Sequence, residues 1–187
     1  MSSRTKTKVI TDEVRFSYLH AFAPFAGQEG QEKKYSVCAL IPKSSKKTIQ
    51  LIKEAIEEAK ADGLQTKWGN KMPRKFSTPL HDADEREDID DHPEMKNCYY
   101  INASSKKAPG LINADRSEIF TEDELKSGDY GKLSLNFFPY SAAGNNGVGC
   151  GLNNIMKTKP GEPLGGGRAN AEDDFDGEFE DEDGLLD

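Results

Sequence analysis

Four cations and two aromatic rings crowd one stretch that has no periodicity. Residues 64–79, LQTKWGNKMPRKFSTP, combine Lys67, Lys71, Arg74 and Lys75 with Trp68 and Phe76. Cations neutralise phosphates, and aromatic faces stack on nucleobases whatever the base order, each stacked base contributing about 1–3 kcal/mol. The purely structural account is a tryptophan anchoring a loop among ordinary surface lysines. Four cations within nine residues tilt the reading toward binding.

The next stretch invites different chemistry. Residues 80–95, LHDADEREDIDDHPEM, are dense in acid, with His81 and His92 near the ends. Carboxylates and imidazoles hold divalent cations, so a metal-dependent nuclease built on residues 82–92 is one alternative. Catalytic ligands usually converge from separate rigid elements, whereas a single acidic loop is more often a solvated insertion. No metal ligand, catalytic residue or cofactor is therefore assigned. The segment GNNGVGCG has the glycine content of a phosphate-binding loop, but no helix or suitably placed lysine follows it, and that reading is rejected.

The C-terminal stretch, residues 171–187 (AEDDFDGEFEDEDGLLD), holds ten acids and no Lys or Arg. Phe175, Phe179, Leu185 and Leu186 punctuate it. Like charges this dense repel, and four apolar groups cannot offset the ordering entropy, so a disordered interaction tail is expected. The chain as a whole carries −8; without the tail, residues 1–170 carry +2, and the first eighty residues carry +7. This asymmetry suggests a polyanionic partner. A third reading makes the tail the only functional part, an adaptor on an inert body.

Other classes fall away. The basic N-terminus, MSSRTKTKVI, lacks the apolar stretch of a signal peptide, and no apolar run approaches a membrane span. Cys38, Cys98 and Cys150 are odd in number and widely spaced, which predicts buried free thiols in a reducing cytosol rather than disulfides or a zinc site.

The elements that must position these residues follow from periodicity. Residues 8–19 predict a strand, with Val14, Phe16 and Tyr18 or Leu19 on one face and Arg15 and Ser17 on the other. KYSVCALIP predicts a second strand, ended by Pro42. Ser44 or Ser45 caps a helix running to about Asp62, with Ile49, Ile52, Ile56 and Ala59 inward and Gly63 as its stop. CYYINA is a third strand, with Tyr100 and Asn102 opposite Tyr99, Ile101 and Ala103. LIN is a short strand, and Thr121 and Glu124 stand in capping-box spacing. Residues 130–140 turn Leu133, Leu135 and Phe137 to the core. Ser134, Asn136, Phe138 and Tyr140 face the other way, as a second core layer or an exposed stacking platform. Asn146-Gly147 is the expected hairpin turn, and VGCGLNNIMK the returning fifth strand. The domain plan is a body over residues 1–160, a Gly/Pro linker over 161–170 and the tail over 171–187.

Five strands with a helix between the second and third are compatible with an OB-type barrel, mainly β with one principal helix and long loops. The segments KYSVCALIPKSSKKTIQLIKEAIEEA, YYINASSKKAPG, GDYGKLSLNFFPY and VGCGLNNIMKTKPGEPLGGG, followed by the acidic tail, resemble a family of bacteriophage single-stranded DNA-binding proteins. The resemblance covers most of residues 8–187. It implies an OB fold, sequence-tolerant binding of single strands, roles in phage replication, recombination or repair, and action in the cytoplasm of the infected host. The acidic tail is similar to those that recruit replication proteins, although here it ends in Gly-Leu-Leu-Asp. The expected contacts are stacking by Trp68, Phe76, Tyr100, Phe138 and Tyr140, and phosphate neutralisation by Arg15, Lys67, Lys71, Arg74, Lys75, Lys106, Lys107 and Lys132. Tyr18, Tyr35 and Tyr99 are assigned to core or edge packing. A groove of this kind accepts RNA as well as DNA. Oligomeric state is left open.

Overall fold

The computed structural model describes residues 1–164. The tail residues Phe175, Phe179, Leu185 and Leu186, and most of the expected linker, lie outside the described residues. In chain order the elements are β1 (Ser3–Thr5), β2 (Lys8–Ile10), β3 (Val14–Phe25), β4 (Lys34–Pro42), α1 (Lys46–Thr66), β5 (Leu80–Asp82), β6 (Cys98–Ser105), β7 (Gly110–Asn113), β8 (Tyr130–Ala142) and β9 (Asn145–Lys159). Short 3₁₀ turns occupy Ala83–Glu85, Ile89–Asp91, Pro93–Met95 and Glu122–Glu124.

Five strands close a ring: β3 pairs with β4, β4 with β6, β6 with β9, β9 with β8, and β8 again with β3. Of these five pairings all are antiparallel except β6–β9, and β7 adds a second parallel pairing to β9 outside the ring. This is the closed OB-type barrel expected from the sequence, and closure removes the exposed edges of those five strands. β8 and β9 form its longest ladder, a hairpin reaching from Tyr130↔Lys159 to Ala142↔Asn145. The barrel interior is filled from the faces that period-two spacing assigned: Phe16, Val37, Ala39, Ile41, Ile101, Ala103, Leu133, Leu135 and Phe137. α1 adds Ile49, Ile52, Ala55, Ile56 and Ala59 to the same cluster, as its helical spacing requires.

Three local expectations change. The first predicted strand is two: β2 pairs with β8, while β3 starts at Val14 and runs on to Phe25. Within β3 the register shifts after Ser17, so Tyr18, expected to pack, takes φ +47° and is 45% exposed. Gly63 does not stop the helix. α1 continues to Thr66, and Gly63 is buried inside it because the Trp68 ring and Pro139 approach so closely that a Cβ would fall 2.5–2.7 Å from them. The β8–β9 turn is Ala143-Gly144, with φ +49° and +82°, rather than Asn146-Gly147, whose residues pair with Ser141 and Tyr140 in the ladder. Two successive positive φ angles are what a two-residue hairpin turn of type I′ needs.

Both faces of β4 are covered. Cys38 and Leu40 point away from the barrel interior into a second cluster with Ala83, Met95 and Cys98. The acidic stretch is therefore a strap across the outside of the barrel rather than a purely solvated insertion. All three cysteines are free and buried, and burial pushes the Cys38 thiol up to about 12.

Candidate nucleic-acid interface

Residues 77–81, β6, β8 and β9, with Lys34 at the start of β4, line a groove of about 500 Å³. Its lining is mixed: Asn102 and Ser104 from β6 are polar, beside Val148, Gly149 and Cys150 from β9 and Pro79. Phe138 and Tyr140 wall one side, His81 from β5 the other, and Lys34 closes the end at the β3–β4 hairpin. Phe138 is 42% exposed although it follows fully buried Phe137. Its ring lies on Gly149, where a Cβ would come within 2.7 Å of it, and near Gly151. The alternating glycines of GVGCG thus clear space for the tip of this ring against β9. They are the sequence signal for this surface, and their service is to a ring rather than to a phosphate.

His81 is brought here by β5, which pairs antiparallel with β6 and sets His81 opposite Tyr100. The two rings stack at 5.0 Å with 27° between planes, and Arg86 lies 5.3 Å over Tyr100. Burial, and secondarily the charge of Arg86, lower the His81 pKa, so at neutral pH the ring is an uncharged imidazole. The sequence offered His81 only as a metal ligand. Its ring stack depends on β5–β6 pairing, which the three-residue run of β5 does not announce.

The fold has counterparts in solved structures. The family model of the single-stranded DNA-binding protein of Enterobacter phage Enc34 matches residues 7–186. The chain belongs to that family. The Enc34 protein solved in complex with single-stranded DNA superposes with a TM-score of 0.70 at 25% identity, covering 87% of this chain and 96% of that one. A putative protein, p50, of Acyrthosiphon pisum secondary endosymbiont phage 1 is 28% identical over 181 residues, 90% of this chain and 92% of its own length. The single-stranded DNA-binding protein gp2.5 of bacteriophage T7, at 14% identity and a TM-score of 0.60, shares the fold over 87% of this chain and 97% of its own.

In this Enc34-type chain the expected stacking rings divide into two sets. Phe138 and Tyr140 line the groove, and Tyr100 sits beside it, stacked with His81, under Arg86 and packed on the outer cluster. Trp68 and Phe76 lie behind it: the Trp68 ring is wedged on Gly63, its Nε1 donates to the Tyr140 carbonyl at 3.3 Å, and it meets Phe76 edge-on at 5.3 Å. Phe76 packs on the core, with Lys60 over its ring at 5.3 Å. Trp68 thus holds the β8 arm to the helix end.

The cations divide as well. Lys67, Lys71, Arg74 and Lys75 are exposed, and none forms an ion pair among the described residues. Their loop is tied to the groove wall at Ser77, whose N–H donates to Asn146 and whose carbonyl accepts from Val148. Lys107 is exposed beside Lys106, whose contact with Glu32 is between two exposed side chains and costs little to break. Lys132 is half-buried on β8, six residues before Phe138, which is about 20 Å along a strand. Arg15 is engaged elsewhere. It donates to the carbonyls of Gly128 and Glu162 and lies over Tyr130 at 5.3 Å, holding residues 161–164 against the barrel.

Five of the eight acids of the strap are paired, while Glu85, Glu87 and Asp91 are exposed. Lys43 bridges Asp82 and Asp84, Arg86 grips Asp88 through two nitrogens, His92 lies between Asp88 and Glu94, and Lys96 meets Asp90. The Arg86 guanidinium holds the Asp88 carboxyl down at about 2. No group of three or more His, Cys, Asp or Glu among the described residues is arranged to hold a metal ion. No helix among them is long and apolar enough to cross a membrane.

Proposed function

We propose that this protein binds single-stranded DNA along the groove between the β3–β4 and β8–β9 arms, as a binding module rather than an enzyme. The observation that carries the reading is Phe138: a large ring left 42% exposed, its tip on Gly149, beside the side chains of Asn102 and Ser104. Bases stack on Phe138, Tyr140 and Tyr100 while Asn102 and Ser104 offer hydrogen bonds that do not depend on base order. The four free cations of residues 67–75 meet the phosphates where the strand leaves the groove at Ser77. Lys106 and Lys107 serve its other end, and Lys132 contributes at longer range. OB barrels use this strand face and these two connecting arms for oligonucleotides. The family membership and the solved Enc34 complex support the same assignment. In an infected bacterial cell the activity would protect and present single strands during replication, recombination or repair, and RNA would be accepted by the same surface.

The acidic tail completes the proposal. Leu164 donates its N–H to the Ser127 carbonyl and lines a cleft shared with His20 on β3, and the acidic segment begins seven residues further along the chain. Its acids and Phe175 and Phe179 imitate phosphates and bases, compete for the groove when no strand is present, and are released with Leu185 and Leu186 to partner proteins when one binds. The deciding experiment is a titration of labelled single-stranded and duplex oligonucleotides across salt concentration. Preferential, salt-sensitive binding of the single strand is expected; equal or absent binding of both would sink the assignment.

A further inference from the structure

A second stacked pair lies on the same outer surface, and neither of its members belongs to the groove described above. His20 and Phe25, both on β3, stack at 4.1 Å with only 6° between planes. Register puts them on the outward face. His20 is opposite Ser36, Ser36 is opposite Ser104, and Phe25 is opposite Lys34; Ser104 and Lys34 both line the groove. Phe25 is 51% exposed at the end of its strand, so one face of its ring is covered by the imidazole and much of the rest meets water. An exposed phenylalanine held flat by a neighbour has already lost the rotamer freedom that stacking a base would cost. Lys34 opposite it offers a cation one strand away.

The pair has the composition of the His81–Tyr100 pair across the barrel: one histidine and one six-membered ring, face to face, beside the same groove. Phe120, exposed further still, has no such ring partner among the described residues. We propose that the His20–Phe25 and His81–Tyr100 stacks are two base-stacking subsites bracketing the groove, so that the bound strand runs past Phe138 and crosses β4 onto β3. This rests on the groove being a single-strand interface and extends its path by the β3–β4 arm.

The test uses the full-length protein and a labelled oligothymidine of about 16 nucleotides, within the span that OB barrels occupy. Phe25→Ala and His81→Ala are each expected to weaken binding by roughly 5- to 100-fold, the range for loss of one stacked base. Phe25→Trp and His81→Phe, which keep a flat ring, should stay within a few-fold of the wild type. Thermal melts unchanged by Phe25→Ala would show that the loss is not unfolding. Photo-crosslinking of 5-iodouracil-substituted strands to Phe25 or His20 would support the same path. If Phe138→Ala weakens binding while Phe25→Ala and His81→Ala do not, the flanking subsites are overturned and the groove stands. If the wild-type protein fails to bind the strand, the groove and the subsites fall together.

Discussion

Phe137 and Phe138 point to opposite sides of β8, and truncating each should separate folding from binding. Phe137 is 1% exposed within the barrel core, so Phe137→Ala should cost about 3–5 kcal/mol of stability, measured by urea denaturation. Phe138→Ala leaves that core intact. It should lower single-strand affinity by the about 1–3 kcal/mol of one stacked base, measured by fluorescence anisotropy, with little change in the denaturation midpoint. A stability loss from Phe138→Ala comparable to that of Phe137→Ala would argue that the ring is packing rather than platform. The same distinction governs Trp68. Its indole is committed to Gly63, Phe76 and the Tyr140 carbonyl, so its fluorescence reports on the join between α1 and the β8 arm.

Elements here are joined by a few close approaches, and these can be tested one at a time. Gly63→Ala raises helix propensity by about 1 kcal/mol but drives a methyl into Trp68 and Pro139, an overpacking of about 1–3 kcal/mol. Net destabilisation is expected, with a shift in Trp68 emission; a stabilised variant would contradict the close packing. On the other side of the barrel Met95, 1% exposed, anchors the acidic strap over Cys38 and Leu40. Met95→Ala should cost about 2–5 kcal/mol, read in the same denaturation assay. Charge then dictates a pH dependence in the turn before β8. The Glu124 carboxylate accepts the N–H groups of Phe120 and Thr121, which hold its pKa below the ordinary 4.5. A depressed folded-state pKa stabilises above the unfolded value, and the gain disappears as pH falls through the folded value. Glu124→Gln should therefore melt below the wild type at neutral pH, and the two should converge well under pH 4.5.

Over the whole molecule, electrostatics sets affinity more than any single contact. Each phosphate neutralised on a single strand contributes about −0.7 to the slope of log affinity against log salt. Replacing Lys71, Arg74 and Lys75 together by alanine should flatten that slope by about 2, if each meets a phosphate. Deleting residues 171–187 removes ten acids and should tighten binding, most at low salt, where the tail competes best. Equal affinity with and without the tail would end the competition model while leaving the groove untouched.

Much of this was legible before any fold was known. Period-two runs at 34–42 and 130–140, and helical spacing at 49–59, are short-range consequences of backbone geometry, so the core faces of β4, β8 and α1 could be read from residue order alone. So could the split between an acidic end and a basic front, and the segment order that carries the family resemblance. The proposed surface was legible only in pieces. Tyr100, Phe138 and Tyr140 were visible as rings facing away from the core, but the placing of Phe138 and Tyr140 on one groove with His81 follows from the register of β5 on β6 and the hairpin of β8 with β9. The same nonlocal pairings draw in His81 and Lys34. They also engage Trp68 and Arg15 in packing and in hydrogen bonds to backbone carbonyls. Local sequence determines which way a side chain points from its own strand; strand register and barrel closure decide what stands opposite, because those neighbours lie on other strands, some, as for Trp68 with Tyr140 and Arg15 with Gly128, far along the chain.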